Sequence, residues 1–277
     1  PSTQVLLKDF LTALAVVQPK VASLQAYGEY YFTPYAVSGE YFFPGNNITL
    51  AKLTVAPVLQ FYTKWSEYLL NTTITINAFP SYLTLANSIP DPNIYGFNGL
   101  ISSRFVPKSL FANASSISVL ADAIIAGYYL NVPPGSPQSG IDLIASANVI
   151  INAGGPMDLQ NRPPAAVHPA WSTTYWQVTY STGWTKNLAA LGLTPILSAD
   201  VSAAPDPLRV LTPNATYLNE GDVNEENWQE VFFGSNYPRL LAIKNTFDPA
   251  NVFTVWKGVG WVENADSSDY CYYETIV

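Results

Sequence analysis

The sequence predicts an α+β fold in which helices flank a large antiparallel sheet, and three observations carry that prediction. Segments at 22–33, 36–43, 71–78, 141–151 and 173–181 are dense in aromatic and β-branched residues, the mark of half-buried strands. Helical periodicity returns between them, so the helices interrupt a meander rather than alternate regularly with parallel strands. The composition agrees: 48% of the 277 residues are hydrophobic, 14% are aromatic and only 12% are charged, enough apolar mass for a buried core.

Taken in order, residues 4–17 place Leu6, Leu7, Phe10, Leu11 and Leu14 at helical spacing, and Pro19 is expected to close this first helix. The break Thr33-Pro34-Tyr35 joins two Tyr/Phe-rich strands into a hairpin. Residues 50–70 recover helical spacing through Leu53, Val58, Phe61, Tyr62 and Trp65, with Pro57 either in a first turn or kinking the helix. Thr73-Ile74-Thr75-Ile76 alternates as a strand does, and Asn98-Gly99 is expected to be a turn before a further extended run. Residues 115–130 form a third helix. From 194 to 213 Pro becomes frequent, a loop-like stretch that sets a boundary between a domain at 1–212 and a tail at 213–277. The tail carries two short helices, at 227–233 and 237–246, and is too small to fold alone, so it is expected to pack on another domain.

The net charge of −8 would repel the phosphate backbone of nucleic acid and an anionic membrane surface alike. The most apolar stretch, 117–132, is interrupted by Asp122 and Gly127 and falls short of the roughly 20 residues that a membrane-spanning helix needs. His168 is the only histidine and no Cys or carboxylate cluster accompanies it, which argues against a metal site. It also lacks a Gly-x-Ser-x-Gly partner, so a loop histidine is the expectation rather than a hydrolase base. The start at Pro1 reads as a processed or internal one. Sequons stand at Asn47, Asn71, Asn113 and Asn214, of which roughly three would arise by chance in so Asn-, Ser- and Thr-rich a chain. Cys271 is the only cysteine, either an unpaired surface thiol or the partner of a cysteine outside the chain.

The most specific signal lies in the tail. Tyr217-Leu218-Asn219-Glu220-Gly221-Asp222, Phe232-Phe233-Gly234-Ser235-Asn236-Tyr237-Pro238-Arg239-Leu240, Ile243-Lys244 and Phe247-Asp248-Pro249-Ala250-Asn251-Val252-Phe253 follow one another at fixed spacing. Together they resemble the C-terminal signature of berberine-bridge-enzyme-like FAD-linked oxidases, of the vanillyl-alcohol-oxidase type and especially the fungal ones. Upstream, Ser103-Arg104-Phe105-Val106-Pro107 and Val167-His168-Pro169-Ala170-Trp171 resemble two further elements of that family in the right order. Ser172 departs from the family pattern, which has Arg there, and Trp261-Val262-Glu263 replaces a Ser-Glu pair.

The resemblance implies a substrate-binding domain followed by a tail that completes an FAD-binding domain. FAD would be held mainly by that domain, in an N-terminal chain or segment lying outside this sequence, because no Gly-x-Gly-x-x-Gly element follows a strand here and Gly154-Gly155 reads as a turn. It further implies a secreted oxidase acting on a small-molecule alcohol or sugar, with hydride passing to flavin and then to oxygen. Tyr217 becomes the candidate base and Asn219 the candidate flavin contact, two positions apart as on one face of a strand. A free tyrosine has a pKa near 10, so a base role requires a nearby cation or donor that the sequence does not display. Gln177 and Thr179, alternating with Val178, are candidate substrate contacts or else solvent-facing edge positions. Cys271 matches a similarly placed cysteine in fungal relatives, which implies a disulfide to the missing domain. The competing reading is a non-catalytic stable fragment without flavin, with carbohydrate binding as its function.

Overall fold

A computed structural model of the chain describes residues 2–33, 36–45, 47–89, 98–131, 149–155, 165–184 and 194–262. Five strands form one fully antiparallel sheet in the order β2-β1-β4-β5-β3. They are β1 (Tyr27–Phe32), β2 (Val37–Phe42), β3 (Asn98–Pro107), β4 (Val149–Ala153) and β5 (Thr174–Trp184). Most of the strands expected from the sequence are present, although residues 141–148, part of the fourth, lie outside the described residues.

Helix α1 (Thr3–Ser23) is capped by Ser2 and buries Leu7, Phe10, Leu11 and Leu14, as its spacing predicts. It does not stop at Pro19 but continues to Ser23. The buried stripe explains this: Val17, Gln18 and Val21 extend the same face, and Gln18, fully buried, receives the indole N–H of Trp176 at 2.9 Å and donates to the Gly154 carbonyl at 2.6 Å. Tertiary packing of that face outweighs the one backbone bond that proline removes. Helix α5 (Ala114–Asn131) packs beside α1 and buries Ile117, Leu120, Ile124 and Ile125 against the sheet. These two helices, with Val58 and Phe61 of a third, form the main core over one sheet face, to which β5 contributes Trp176, Val178 and Tyr180, each fully buried.

Four further expectations fail. The single helix over 50–70 is two, α2 (Ile48–Thr54) and α3 (Ala56–Lys64), because Pro57 sits in the first turn of a new helix rather than inside one. Residues 71–78 form no strand: the segment is exposed, Ile74 and Ile76 included, and pairs with nothing among the described residues. It is followed by the short helix α4 (Tyr82–Ala86). Asn98-Gly99 is not a turn but the start of β3, paired with Trp184 and Gly183. The loop-like stretch 194–213 contains α6 (Thr194–Ala203) and α7 (Asp206–Arg209), whose Leu197, Val201 and Leu208 are buried. Pro195, Pro205 and Pro207 stand at helix starts, which a count of breakers cannot distinguish from loop.

The tail forms α8 (Trp228–Phe233) and α9 (Tyr237–Phe247), at the expected places. Trp228, Val231, Phe232, Phe233 and Trp261 make a small aromatic core of their own. Beyond it, Phe247, Val252, Phe253, Val255 and Val262 stand between 61% and 84% exposed, a run of apolar surface that a solvated tail would not carry. Among the described residues no helix is long and apolar enough to cross a membrane.

Candidate active site

Strand alternation gives the sheet a second face, away from the main core. Cross-strand register aligns Glu40, Glu29, Asn152, Gln177 and Phe105 in one row, and Ser38, Tyr31, Ile150, Thr179 and Ser103 in the next. The Ser103-Arg104-Phe105-Val106-Pro107 motif is thereby divided between faces. Ser103 and Phe105 turn to the second face, while Val106 enters the main core.

The tail is tied to this face at 215–220. The Phe105 N–H donates to the Ala215 carbonyl at 3.1 Å, the hydroxyls of Ser103 and Thr216 share a short hydrogen bond, and Ser103 Oγ donates to the Glu220 carbonyl at 2.7 Å. Residues Leu218–Glu220 form one 3₁₀ turn preceded by Tyr217. The strand expected for Tyr217 and Asn219 is therefore absent, because Ser103 and Thr216 hold the backbone in a turn. The two side chains meet all the same: Asn219 Nδ2 donates to the Tyr217 hydroxyl oxygen at 2.7 Å.

Tyr217 is 36% exposed and stands edge-on to Trp171, ring centroids 5.9 Å apart, and Trp171 packs on buried Phe105 at 4.5 Å. Trp171 belongs to a second 3₁₀ turn, Pro169–Ser172, started by His168. His168 Nδ1 accepts from the Ala170 N–H at 3.0 Å, so Nε2 carries the proton and donates to the Glu230 carbonyl at 3.1 Å. Burial holds this imidazole below its usual value of 6.5. His168 is thus a staple between the Trp171 turn and α8, in keeping with the loop histidine expected from sequence.

Gln177 and Thr179 are not solvent-facing edge positions: they are 5% and 2% exposed, on a strand flanked by β3 and β4. Both donate to one oxygen, Glu220 Oε2, at 2.8 Å each. Glu220, half-buried and three residues after Tyr217, was not singled out by the sequence reading, although it lies inside the quoted tail motif. Nearby, Tyr27 donates to Asn152 Oδ1 at 2.9 Å, and burial, with Glu29, Glu220 and Glu40 around it, pushes this phenol up to about 12.

Behind the turn lies a buried ionic knot. Arg104, fully buried, pairs with Glu225 at 2.7 Å and donates to its neighbour's carbonyl at Ser103, while Arg209 approaches Glu225 at 3.4 Å. Lys257 Nζ donates to the Glu225 carbonyl at 2.7 Å. These contacts lock the segment after Tyr217-Leu218-Asn219 to β3 and α7. Among the described residues no three His, Cys, Asp or Glu side chains gather as metal ligands would. Asn47, Asn71, Asn113 and Asn214 are all exposed, and Cys271 lies outside the described residues.

The comparisons with known proteins agree with this arrangement. Residues 216–260, the segment that carries the turn and the ionic knot's tail side, match the family model described as berberine and berberine like. That segment of the chain is similar to the C-terminal part of berberine-bridge-enzyme-like proteins. It is 38% identical over 98 residues to the FAD-linked oxidoreductase OXR2 of Pyricularia oryzae, covering 35% of this chain and 17% of that protein. It is 30% identical over 186 residues to the bifunctional decalin synthase calF of Penicillium decumbens, covering 65% of this chain and 30% of that one. The fold matches the VAO-type flavoprotein MtVAO615 of Myceliophthora thermophila with a TM-score of 0.70 at 21% identity, over 95% of this chain and 46% of that structure. The chain therefore spans less than half the length of these relatives.

Proposed function

We propose that this chain supplies the substrate-facing sheet and the Tyr-x-Asn turn of an FAD-dependent oxidoreductase that oxidises a small alcohol or sugar, with oxygen as electron acceptor. The observation that carries this reading is the Asn219–Tyr217 hydrogen bond, set on an exposed rim between the Phe105–Trp171 wall and the Gln177–Thr179–Glu220 group. Neutral amide and phenol groups beside aromatic rings fit contact with a flavin ring. They do not fit its pyrophosphate, since among the described residues no lysine or arginine is paired with Tyr217 or Asn219. Asn219 would touch the flavin, and the rest of the cofactor falls to a companion FAD-binding domain or chain, with residues 1–212 as the substrate domain and 213–277 as the segment completing the companion. The exposed apolar run from Phe247 to Val262 supplies surface for that docking.

Bound FAD supplies the acceptor for the two electrons that leave the substrate C–H bond as hydride. Tyr217, entering this step as its phenolate, would take the hydroxyl proton and become the phenol, and the product is the carbonyl. Asn219, donating to the phenol oxygen, keeps a lone pair of that oxygen aimed along a fixed direction and restricts rotation of the ring together with Trp171. Gln177 and Thr179 line the wall against which the substrate rests. Secretion fits the exposed sequons and a Cys271 disulfide to the companion, which would appear on non-reducing electrophoresis as a larger species that releases this chain on reduction.

The test is Tyr217→Phe in the flavin-loaded protein. Turnover should fall by about 10²-fold or more, the usual contribution of a positioned base, with flavin content unchanged; unaltered turnover assigns Tyr217 to packing. Asn219→Ala should lower flavin retention, and a full flavin complement would remove Asn219 from the cofactor contacts.

A further inference from the structure

The side chain that the Tyr217 turn points at the sheet is a carboxylate, and the charged strand residues described on that sheet face are acidic too. Glu220 N–H closes the 3₁₀ turn on the Tyr217 carbonyl at 3.0 Å, a spacing that stacks residues three apart on the same side of the turn. The two hydrogen bonds that fix its carboxylate both end on Oε2; among the described residues none ends on Oε1. The donors are neutral, so the negative charge is oriented but not cancelled. On the same sheet face the charged strand residues are Glu29 and Glu40, directly opposite one another, and no described lysine or arginine stands at a strand position facing this side. The one strand arginine, Arg104, faces away and is consumed by Glu225.

We infer that Glu220 is a specificity-determining residue for the oxidation proposed above: its Oε1 accepts a hydrogen bond from a neutral substrate's hydroxyl, and its charge excludes substrates that carry a carboxylate. Like charges brought together beside the half-buried Glu220 repel more than in bulk solvent, whereas a hydroxyl donor meets a charge-assisted acceptor held ready by Gln177 and Thr179. The site thereby favours hydroxyl-bearing molecules without a carboxylate over their carboxylate counterparts. The inference rests on the Tyr217 face being the substrate site.

The test compares anaerobic flavin reduction in the flavin-loaded protein by two matched pairs, glucose with glucuronate and benzyl alcohol with 4-(hydroxymethyl)benzoate. Wild type should bind the neutral member of at least one pair about 10-fold or more tightly than its carboxylate, and added salt should narrow that gap. Glu220→Gln keeps an oxygen for Gln177 and Thr179, and so keeps the turn, but removes the charge. It should cut the gap to about 3-fold or less with flavin absorbance unchanged, and Glu220→Ala should in addition weaken binding of the neutral member. Equal binding of both members by wild type, binding of neither neutral member, or a Glu220→Gln protein with the wild-type gap would each overturn the assignment. Loss of reduction in Tyr217→Phe alongside such a result would leave the oxidation reading standing; reduction by no alcohol at all would remove that reading as well.

Discussion

Replacing Arg104 by methionine should destabilise the protein by about 3 kcal/mol, and replacing Glu225 by methionine by about 5 kcal/mol, within the range for breaking a buried ion pair. The asymmetry follows from the contacts. Arg104 has no exposed side-chain surface and Glu225 only 9%, so each charge depends on the other in a poorly screened setting, where opposite charges about 4 Å apart attract by about 4 kcal/mol. Without Arg104, Glu225 retains Arg209 at 3.4 Å, itself 33% exposed. Without Glu225, a fully buried guanidinium keeps only the Ser103 carbonyl and the charge of Asp222, and is repelled by Arg209. The double variant removes both charges and fills the space with apolar atoms, so it should cost at least about 2 kcal/mol less than the two single changes summed. Urea unfolding of the four proteins of the cycle reads these differences directly. Single variants within about 0.5 kcal/mol of wild type, or additive effects, would refute the view that this knot holds the Tyr217 turn to the sheet.

Further expectations follow from single contacts. Gly127→Ala would drive a methyl group into the Ala204 carbonyl and the Tyr180 ring, neither able to yield freely, and should lower stability by about 2 kcal/mol, visible as a drop of roughly 5 °C in Tm. Gly234→Ala should destabilise by about 2 kcal/mol, since the residue has φ of +54° and an added Cβ would meet His168 Nε2 at 2.7 Å; an unchanged melting curve would show that the His168 staple is loose. His168 is held below its usual 6.5 in the folded protein, so the stability it contributes is complete above pH 6.5 and is lost as pH falls through the folded value. Removing it in His168→Gln should therefore destabilise by about 1 kcal/mol at pH 7.5 and by progressively less as the pH falls toward 5, in paired denaturant melts; a pH-independent difference would contradict the neutral, doubly bonded imidazole.

The antiparallel sheet and its helical layer were legible because their signals are local: alternation in 173–181, a leucine stripe in 4–17, an apolar helix at 115–130. Where tertiary contacts decide, the same signals misled. The Thr-Ile alternation of 71–78 looks like a strand, but no described strand pairs with it; Pro19 looks like a stop, but Gln18 and Val21 carry the helix past it. The site shows the same division. Tyr217, Asn219, Gln177 and Thr179 could be named from motif and alternation, and the structure brings Tyr217 against Asn219 and Gln177 beside Thr179. Glu220 could not, because its significance is a contact to residues 41 and 43 positions earlier in the chain. Nor could Arg104, whose partner Glu225 lies 121 residues away. An acidic residue among 20 carries no mark of burial in the sequence.

The central claim is that this chain works as the substrate half of a flavoprotein, and the most direct test is visible absorption combined with native mass on the protein purified from its natural source. The account predicts flavin absorbance near one flavin per chain, in a species that contains an FAD-binding domain or chain besides these 277 residues. A colourless, well-folded protein with the mass of this chain alone, 30.2 kDa apart from any glycans, would contradict it.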